Sequence, residues 1–326
     1  MPMPRSLQGV SCVVLGGGGF IGRALIKALL AEGAVVRGFG RVSRFGEPAT
    51  SLPWIYGSFE DQVALARAVE GMEVVFHLAG GSTPERSNAA PVGDLMASVA
   101  GSVELLEICR AEGARRIVFA TSGGTVYGAP KVVPIPETAP TDPISAYGVH
   151  KLAVEKYLHL YGYLHRLEHV SLRISNPFGP YQDPLRRQGL VAAALMKLLR
   201  GQAVDIWGDG SVVRDYIYID DVAEALLRAA GYDGAHRVFN IGTGTGMSVN
   251  AVVDEAAAVL AIANPAKVHL PGRKADVPVN VLDITLARRE LGWVPRTAWR
   301  DAILRTVEWM RYEPSVKALL DKGHHG

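Results

Sequence analysis

The sequence predicts an α/β fold in which helices cover both faces of a doubly wound parallel sheet and a smaller lobe is added late in the chain. Three observations predict it. Short unbroken apolar runs alternate with stretches whose apolar residues recur at helical spacing. A glycine-rich turn joins the first such run to the first such helix. After residue 179 the alternation breaks at Pro180, Pro184 and a charged segment.

The elements follow in order. Residues 10–15 are continuously apolar, as a strand covered on both faces requires. Glycines come next, then a helix over Phe20–Ala31 and a strand over 34–39, which completes one βαβ unit. Strands are expected at 73–78 and 116–120, with a helix at 95–110 between them. A helix over 145–164 and a strand over 169–174 continue the pattern. Repeated alternation implies right-handed crossovers and a parallel sheet, with ligands at the carboxyl ends of its strands. Beyond the break, a helix is expected at Leu190–Leu199 and short strands at Val204–Trp207 and 214–219. Val238–Ile241 reads as a late return to the main sheet. Residues 1–176 are therefore assigned to a dinucleotide-type domain, with a returning segment near 220–263. Residues 177–326 form mainly a discontinuous substrate lobe that shares a cleft with it. The proline-rich stretch 129–145 is expected to stiffen one wall.

Bulk properties narrow the function. A chain of 326 residues can bury a sizeable core, and 48% hydrophobic with 20% charged residues is ordinary for a globular protein. A net charge of +2 argues against nucleic acid or an anionic membrane as the main partner. Charges such as Lys197 interrupt the apolar runs, so no membrane span is expected. The first residues do not read as a signal peptide, and a cytoplasmic location is expected. Cys12 and Cys109 lie in apolar stretches without metal-like spacing and read as buried thiols. His324 and His325 read as a tail, and no metal is expected.

Gly16, Gly19 and Gly22 form a G-x-x-G-x-x-G pattern between strand and helix. Missing side chains let backbone approach phosphate, and the helix start offers free N–H groups to it. The fold class is thus Rossmann-type. A tight turn alone would use glycines too, but the strand–turn–helix context favours a dinucleotide. The second strand should end in an acid that grips ribose hydroxyls, yet it ends at Gly40, with Arg41 next and Arg44 nearby. An acid repels a 2′-phosphate and an arginine welcomes one, unless both arginines are simply solvated. NAD and NADP both stay open here.

Tyr147 and Lys151 are four apart and share a helix face. Ser145 after Pro143 suits an N-cap, placing Tyr147 in the first turn. A phenol is a poor base at neutral pH, but a neighbouring ammonium and an oxidised nicotinamide favour its phenolate. Alone, such a pair is usually a surface coincidence. Downstream of a dinucleotide turn it points to redox chemistry.

These residues, with His77-Leu78-Ala79, residues 121–128 (Thr-Ser-Gly-Gly-Thr-Val-Tyr-Gly), Asn176-Pro177-Phe178-Gly179, Arg214-Asp215-Tyr216-Ile217, Arg273 and Asp276, carry a resemblance over nearly the whole chain. The sequence resembles the extended short-chain dehydrogenases/reductases of the NAD-dependent sugar-nucleotide epimerase/dehydratase family, in particular its UDP-glucose 4-epimerase-like members. The resemblance implies NAD held by Gly16, Gly19, Phe20, Ile21, Gly22, Arg41, Ala79, Tyr147 and Lys151. It implies a UDP-sugar whose diphosphate and ribose meet Asn176, Arg214, Arg273 and Asp276, and a homodimer built on the helices at 95–110 and 145–164. It also implies that Asn280, four residues after Asp276, lies against the sugar. A residue smaller than tyrosine there leaves room for an N-acetyl group, unless Asn280 points away among Pro278, Val279 and Val281.

Two departures stand out. The family commonly has a catalytic serine or threonine where this chain has Gly123, leaving Thr125 and Ser122 as hydroxyls in reach. An asparagine of the preceding helix is replaced by Ser98. Dehydratases and decarboxylases of the family usually carry an acid at the position of Thr125, so its hydroxyl favours 4-epimerisation. The alternatives are an NADPH-dependent 4-keto-sugar-nucleotide reductase and a non-catalytic dinucleotide sensor, and a sensor has no need of Tyr147 and Lys151.

Overall fold

The structure is a computed structural model that describes residues 5–41, 43–49, 51–80, 82–185, 189–272 and 277–321. Seven parallel strands form the main sheet, in the spatial order Val238–Ile241, Glu168–Ile174, Arg116–Ser122, Val74–His77, Ser11–Leu15, Val35–Gly40, Trp54–Tyr56. The chain starts at Ser11–Leu15 and winds outward first one way and then the other. The switch therefore falls between Ser11–Leu15 and Val74–His77, whose carboxyl ends open the ligand crevice.

Alternation of side chains makes two cores. Cys12 and Val14 enter one with helices Phe20–Ala31 and Ile219–Ala230. Val13 and Leu15 enter the other with helices Gln62–Val69, Gly101–Ala111 and Ala146–His165. Burial on both faces is why the strands read as continuous apolar runs. Both cysteines are buried and free, with burial pushing each thiol up to about 12. Val238–Ile241 does return to the sheet, against Glu168–Ile174.

The structure differs from the sequence expectation in several places. The helix expected at 95–110 starts at Pro91 and passes through a π-helical turn, Met96–Ala100, before Gly101–Ala111. The stretch 214–219 divides into Val213–Arg214 and Tyr216–Tyr218, and Ile219 already opens a helix. The edge strand Trp54–Tyr56 has only three residues directly after Pro53, too short for any period to show.

The later chain supplies small strands around the crevice. Asn176–Phe178 pairs with Tyr216–Tyr218, and Val213–Arg214 lies between Met247–Ser248 and Val279–Asn280. Val204–Trp207 pairs with Lys267–Leu270. No helix among the described residues is long and apolar enough to cross a membrane.

Candidate active site

The crevice floor is the glycine turn. Gly16 has a φ of +87°, and a side chain there would meet the Leu78 and Ala79 backbone at 3.1 Å. A Cβ on Gly22 would strike the Gly16 carbonyl and Gly17. Glycine is therefore enforced by close packing of turn, helix and the neighbouring strand end. Gly19 caps Phe20–Ala31 without a side chain, and no acid lies in the first turn. The Gly19 N–H closes the turn on the Gly16 carbonyl at 3.0 Å, and the next N–H groups, of Phe20 and Ile21, lie at the positive end of the helix dipole, as a pyrophosphate requires. The cradle fits a dinucleotide.

Among the described residues, no acid stands at the end of the second strand. Gly40 closes the second strand, and Arg41 beside it is exposed. Arg44 is committed elsewhere, to Asp183 at 2.9 Å. Trp54 fills the space beside Gly17 and Gly38 and donates its Nε1–H to the Gly40 carbonyl at 3.2 Å.

Ser145 caps the helix Ala146–His165 by accepting from the Gly148 N–H at 3.2 Å, which sets Tyr147 in the first turn. Lys151 Nζ donates to the Ala120 carbonyl at 3.1 Å and lies over the rings of Phe119 (4.7 Å) and Tyr147 (5.7 Å). A Cβ on Gly80 would be 3.9 Å from that ammonium, so Lys151 borders the Leu78–Gly80 wall. Burial pushes the Lys151 ammonium down to about 8, while Asp94 and Glu155 pull it back upward. Burial, helped by Asp94, pushes the Tyr147 phenol up to about 12. Without added positive charge, this site keeps its phenol protonated.

Gly123 is glycine for a packing reason. A Cβ there would meet Leu282 Cδ1 at 2.5 Å and the Arg173 carbonyl at 2.9 Å. Of the two remaining hydroxyls, Thr125 Oγ1 is buried without a protein partner. The Thr125 carbonyl also lies 2.8 Å from where a Gly148 side chain would begin, next to Tyr147. An orphaned buried hydroxyl calls for an explanation, and as it stands this one is closed to solvent. Ser122 is half-buried at the end of its strand.

Across the crevice, Asn176 Nδ2 donates to the Asp215 carbonyl at 3.0 Å. Arg214 Nη1 donates to the Val213 and Val277 carbonyls at 2.9 and 2.6 Å. Asn280 is 1% exposed, and its Nδ2 donates to the Gly123 carbonyl at 3.2 Å. It therefore does not point away: it joins the later chain to the hydroxyl-bearing loop. Arg273, Asp276, His324 and His325 lie outside the described residues. Among the described residues no cluster could hold a metal ion.

The roles of three charged groups, Asp215 and Arg23 buried and Asp94 half-buried, escaped the sequence reading. Asp215 is fully buried and accepts from the Thr243 N–H (2.8 Å), Thr243 hydroxyl (2.7 Å) and Gly244 N–H (3.2 Å), clamping the turn after the last main strand. Its place between Arg214 and Tyr216 was the available signal. Asp94 accepts from Ser87 at 2.6 Å and His150 at 2.7 Å, and it is the carboxylate whose field reaches both Tyr147 and Lys151. Arg23 donates to the Gly18 carbonyl at 3.3 Å and to that of Gly46, and lies 4.8 Å over Tyr181. No motif marks Asp94 or Arg23, because His150, Gly46 and Tyr181 come to them from distant segments.

Comparison with known proteins agrees with this geometry. Residues 12–242 match the NAD dependent epimerase/dehydratase family. A UDP-glucose 4-epimerase of Mycolicibacterium smegmatis is 36% identical, covering 92% of this chain and 98% of that one. A dTDP-4-dehydro-6-deoxyglucose reductase of Escherichia coli is 29% identical, over 92% and 97%. The Thermus thermophilus UDP-glucose 4-epimerase, solved in complex with NAD, superposes with a TM-score of 0.85 at 33% identity, over 92% and 99%. With its glycine cradle, its Tyr147–Lys151 pair and these relatives, the chain belongs to the NAD-dependent epimerase/dehydratase family.

Proposed function

We propose that this protein is an NAD-dependent 4-epimerase of a UDP-hexose or UDP-N-acetylhexosamine. The observation that carries the reading is Tyr147 and Lys151 on one helix turn, beside a side-chain-free phosphate cradle and the orphaned hydroxyl of Thr125. The bound dinucleotide supplies hydride acceptance from C4 and its return to the opposite face. Everything else falls to the chain. Tyr147 takes the 4-hydroxyl proton and later gives it back. Lys151, fixed by the Ala120 carbonyl, favours the phenolate. Thr125 donates to the sugar oxygen, with Ser122 as its neighbour. Asn176, Arg214, Arg273 and Asp276 hold the nucleotide diphosphate and ribose, leaving the 4-keto sugar free to turn about its phosphate bonds.

The test is turnover of purified protein on UDP-hexoses and their N-acetyl counterparts. Tyr147→Phe and Lys151→Met are each expected to lower kcat at least ~100-fold, with little effect on UDP binding. Wild-type turnover by Tyr147→Phe would refute the proton transfer. A second reading, a 4-keto-sugar-nucleotide reductase, is favoured by the absence of an acid at Gly40 and by the reductase relative. Reduction of a 4-keto nucleotide sugar with stoichiometric cofactor oxidation would select it. The working unit is proposed to be a cytoplasmic homodimer, formed through the helical stretch at 95–110 and the helix Ala146–His165, with the exposed apolar residues Val92, Met96, Leu160 and Leu164 on or next to them.

A further inference from the structure

We propose that the adenosine end of the cofactor crevice also admits a 2′-phosphate, so that this chain binds NADP(H) alongside NAD(H). The proposal rests on the dinucleotide site and not on the identity of the sugar reaction. A dinucleotide fold selects against the extra phosphate with a carboxylate at the end of its second strand, which both bonds the ribose hydroxyls and repels a dianion. Here that strand ends at Gly40. A Cβ built on Gly40 would have only Gly16 Cα and the Trp54 ring near it, both at 3.9 Å, so the space an acid would occupy is open.

The residues that follow supply donors. Ser43 Cβ and the Arg41 carbonyl lie 3.3 and 3.5 Å from where a Gly18 side chain would begin, so this segment runs directly along the glycine turn. Ser43 Oγ accepts from the Phe45 N–H at 3.3 Å, which leaves its own proton to donate outward. Arg41 is exposed and has no ion-pair partner among the described residues. An exposed guanidinium and a hydroxyl on the segment that directly follows Gly40 are the donor set that a phosphate monoester takes.

Three carboxylates of the neighbouring segments are already engaged. Glu47 receives the Tyr56 hydroxyl, Asp61 caps the helix Gln62–Val69 through the Ala64 N–H, and Asp183 holds Arg44. The Gly40 carbonyl, which would repel phosphate, is occupied by Trp54 Nε1. Arg44 therefore takes no part, and the discrimination falls on Arg41 and Ser43.

The experiment is binding without sugar. Protein stripped of nucleotide is titrated separately with NAD and NADP, and is then offered an equimolar mixture, the bound fraction being identified by mass spectrometry. We expect NADP to bind within about tenfold of NAD. We also expect Arg41→Ala to raise the NADP-to-NAD ratio of dissociation constants about tenfold or more, with Ser43→Ala shifting it the same way. A wild-type preference for NAD beyond tenfold overturns the proposal. So does an Arg41→Ala ratio equal to that of wild type, which would make Arg41 a merely solvated side chain. Melting temperatures of the NAD-loaded variants separate loss of fold from loss of phosphate recognition. Because no sugar is present, failure here leaves the epimerase reading standing, and failure of epimerase turnover leaves this result standing.

Discussion

At the scale of single residues, burial sets the protonation of Tyr147 and Lys151, the proposed acid–base pair. Lys151 is pushed from 10.5 to about 8, so between those values the unfolded chain binds a proton that the folded chain has lost. Stability of the cofactor-free protein therefore gains from this group as pH rises from about 8 to 10.5, and below 8 the buried charge costs up to about 3 kcal/mol. Lys151→Met is accordingly expected to be more stable than wild type near pH 7, with the gap closing as pH climbs through that window. Denaturant midpoints measured along the pH series check this, and a gap that widens would show the amine to be comfortably charged. The hydroxyl role divides between two candidates. Thr125 Oγ1 has no protein partner and its backbone abuts Gly148, so Thr125→Val should lower kcat more than Ser122→Ala. The reverse order would move the role to Ser122. A serine at Gly123 would not supply the missing hydroxyl, because Leu282 and the Arg173 carbonyl already occupy that space.

At the scale of elements, legibility followed how local the cause was. The helices Phe20–Ala31 and Leu190–Leu199 and the strand Val238–Ile241 were readable to the residue, because burial imposes an uninterrupted pattern on each. The π-helical turn was not readable. Its wider backbone bonding, and the side-chain bond from Ser98 Oγ to the Asp94 carbonyl at 2.6 Å beside it, leave no trace in apolar spacing. The site was legible where a motif is contiguous, at Gly16–Gly22 and Tyr147–Lys151. It was illegible at Asp94 and Arg23, whose roles come from segments brought together only by the fold. The exposed faces of two elements carry a further prediction. Tyr157, Leu160 and Leu164 are 38%, 42% and 57% exposed and recur at helical spacing along Ala146–His165, while Val92 and Met96 project from the neighbouring helix. Apolar side chains in such a stripe mark an association surface. Leu160→Glu with Leu164→Glu should convert the proposed dimer to monomer in sedimentation velocity without lowering the melting temperature sharply. Wild type that sediments as monomer at micromolar concentration would end this assignment.

At the scale of the whole molecule, the reactive corner is closed by contacts between the sheet and the later chain. Asn280 reaches from its short strand to the Gly123 carbonyl, Leu282 covers Gly123, and Ile135 pairs with the Leu282 strand end through the Val281 carbonyl at 2.8 Å. The Asn280 backbone is fixed in turn by the Asp215 N–H at 3.1 Å. A longer side chain at 280 must then displace the Gly123 carbonyl or extend into the crevice, where it would crowd a substituent on the sugar. Asparagine leaves that room, and its buried Oδ1 has no protein partner, so a modest side-chain rotation would let its amide meet an acetamide. The expected outcome is that the wild type epimerises N-acetylated and plain UDP-hexoses with kcat/KM within ~10-fold, less than ~1.4 kcal/mol of discrimination. Asn280→Tyr should depress the acetylated substrate at least tenfold more than the plain one. Asn280→Ser, which shortens the side chain, should keep both and serves as the control for lost packing. Paired kinetics on the three proteins decide the point: a wild type that ignores acetylated sugars, or a tyrosine variant with an unchanged substrate ratio, removes Asn280 as the gate.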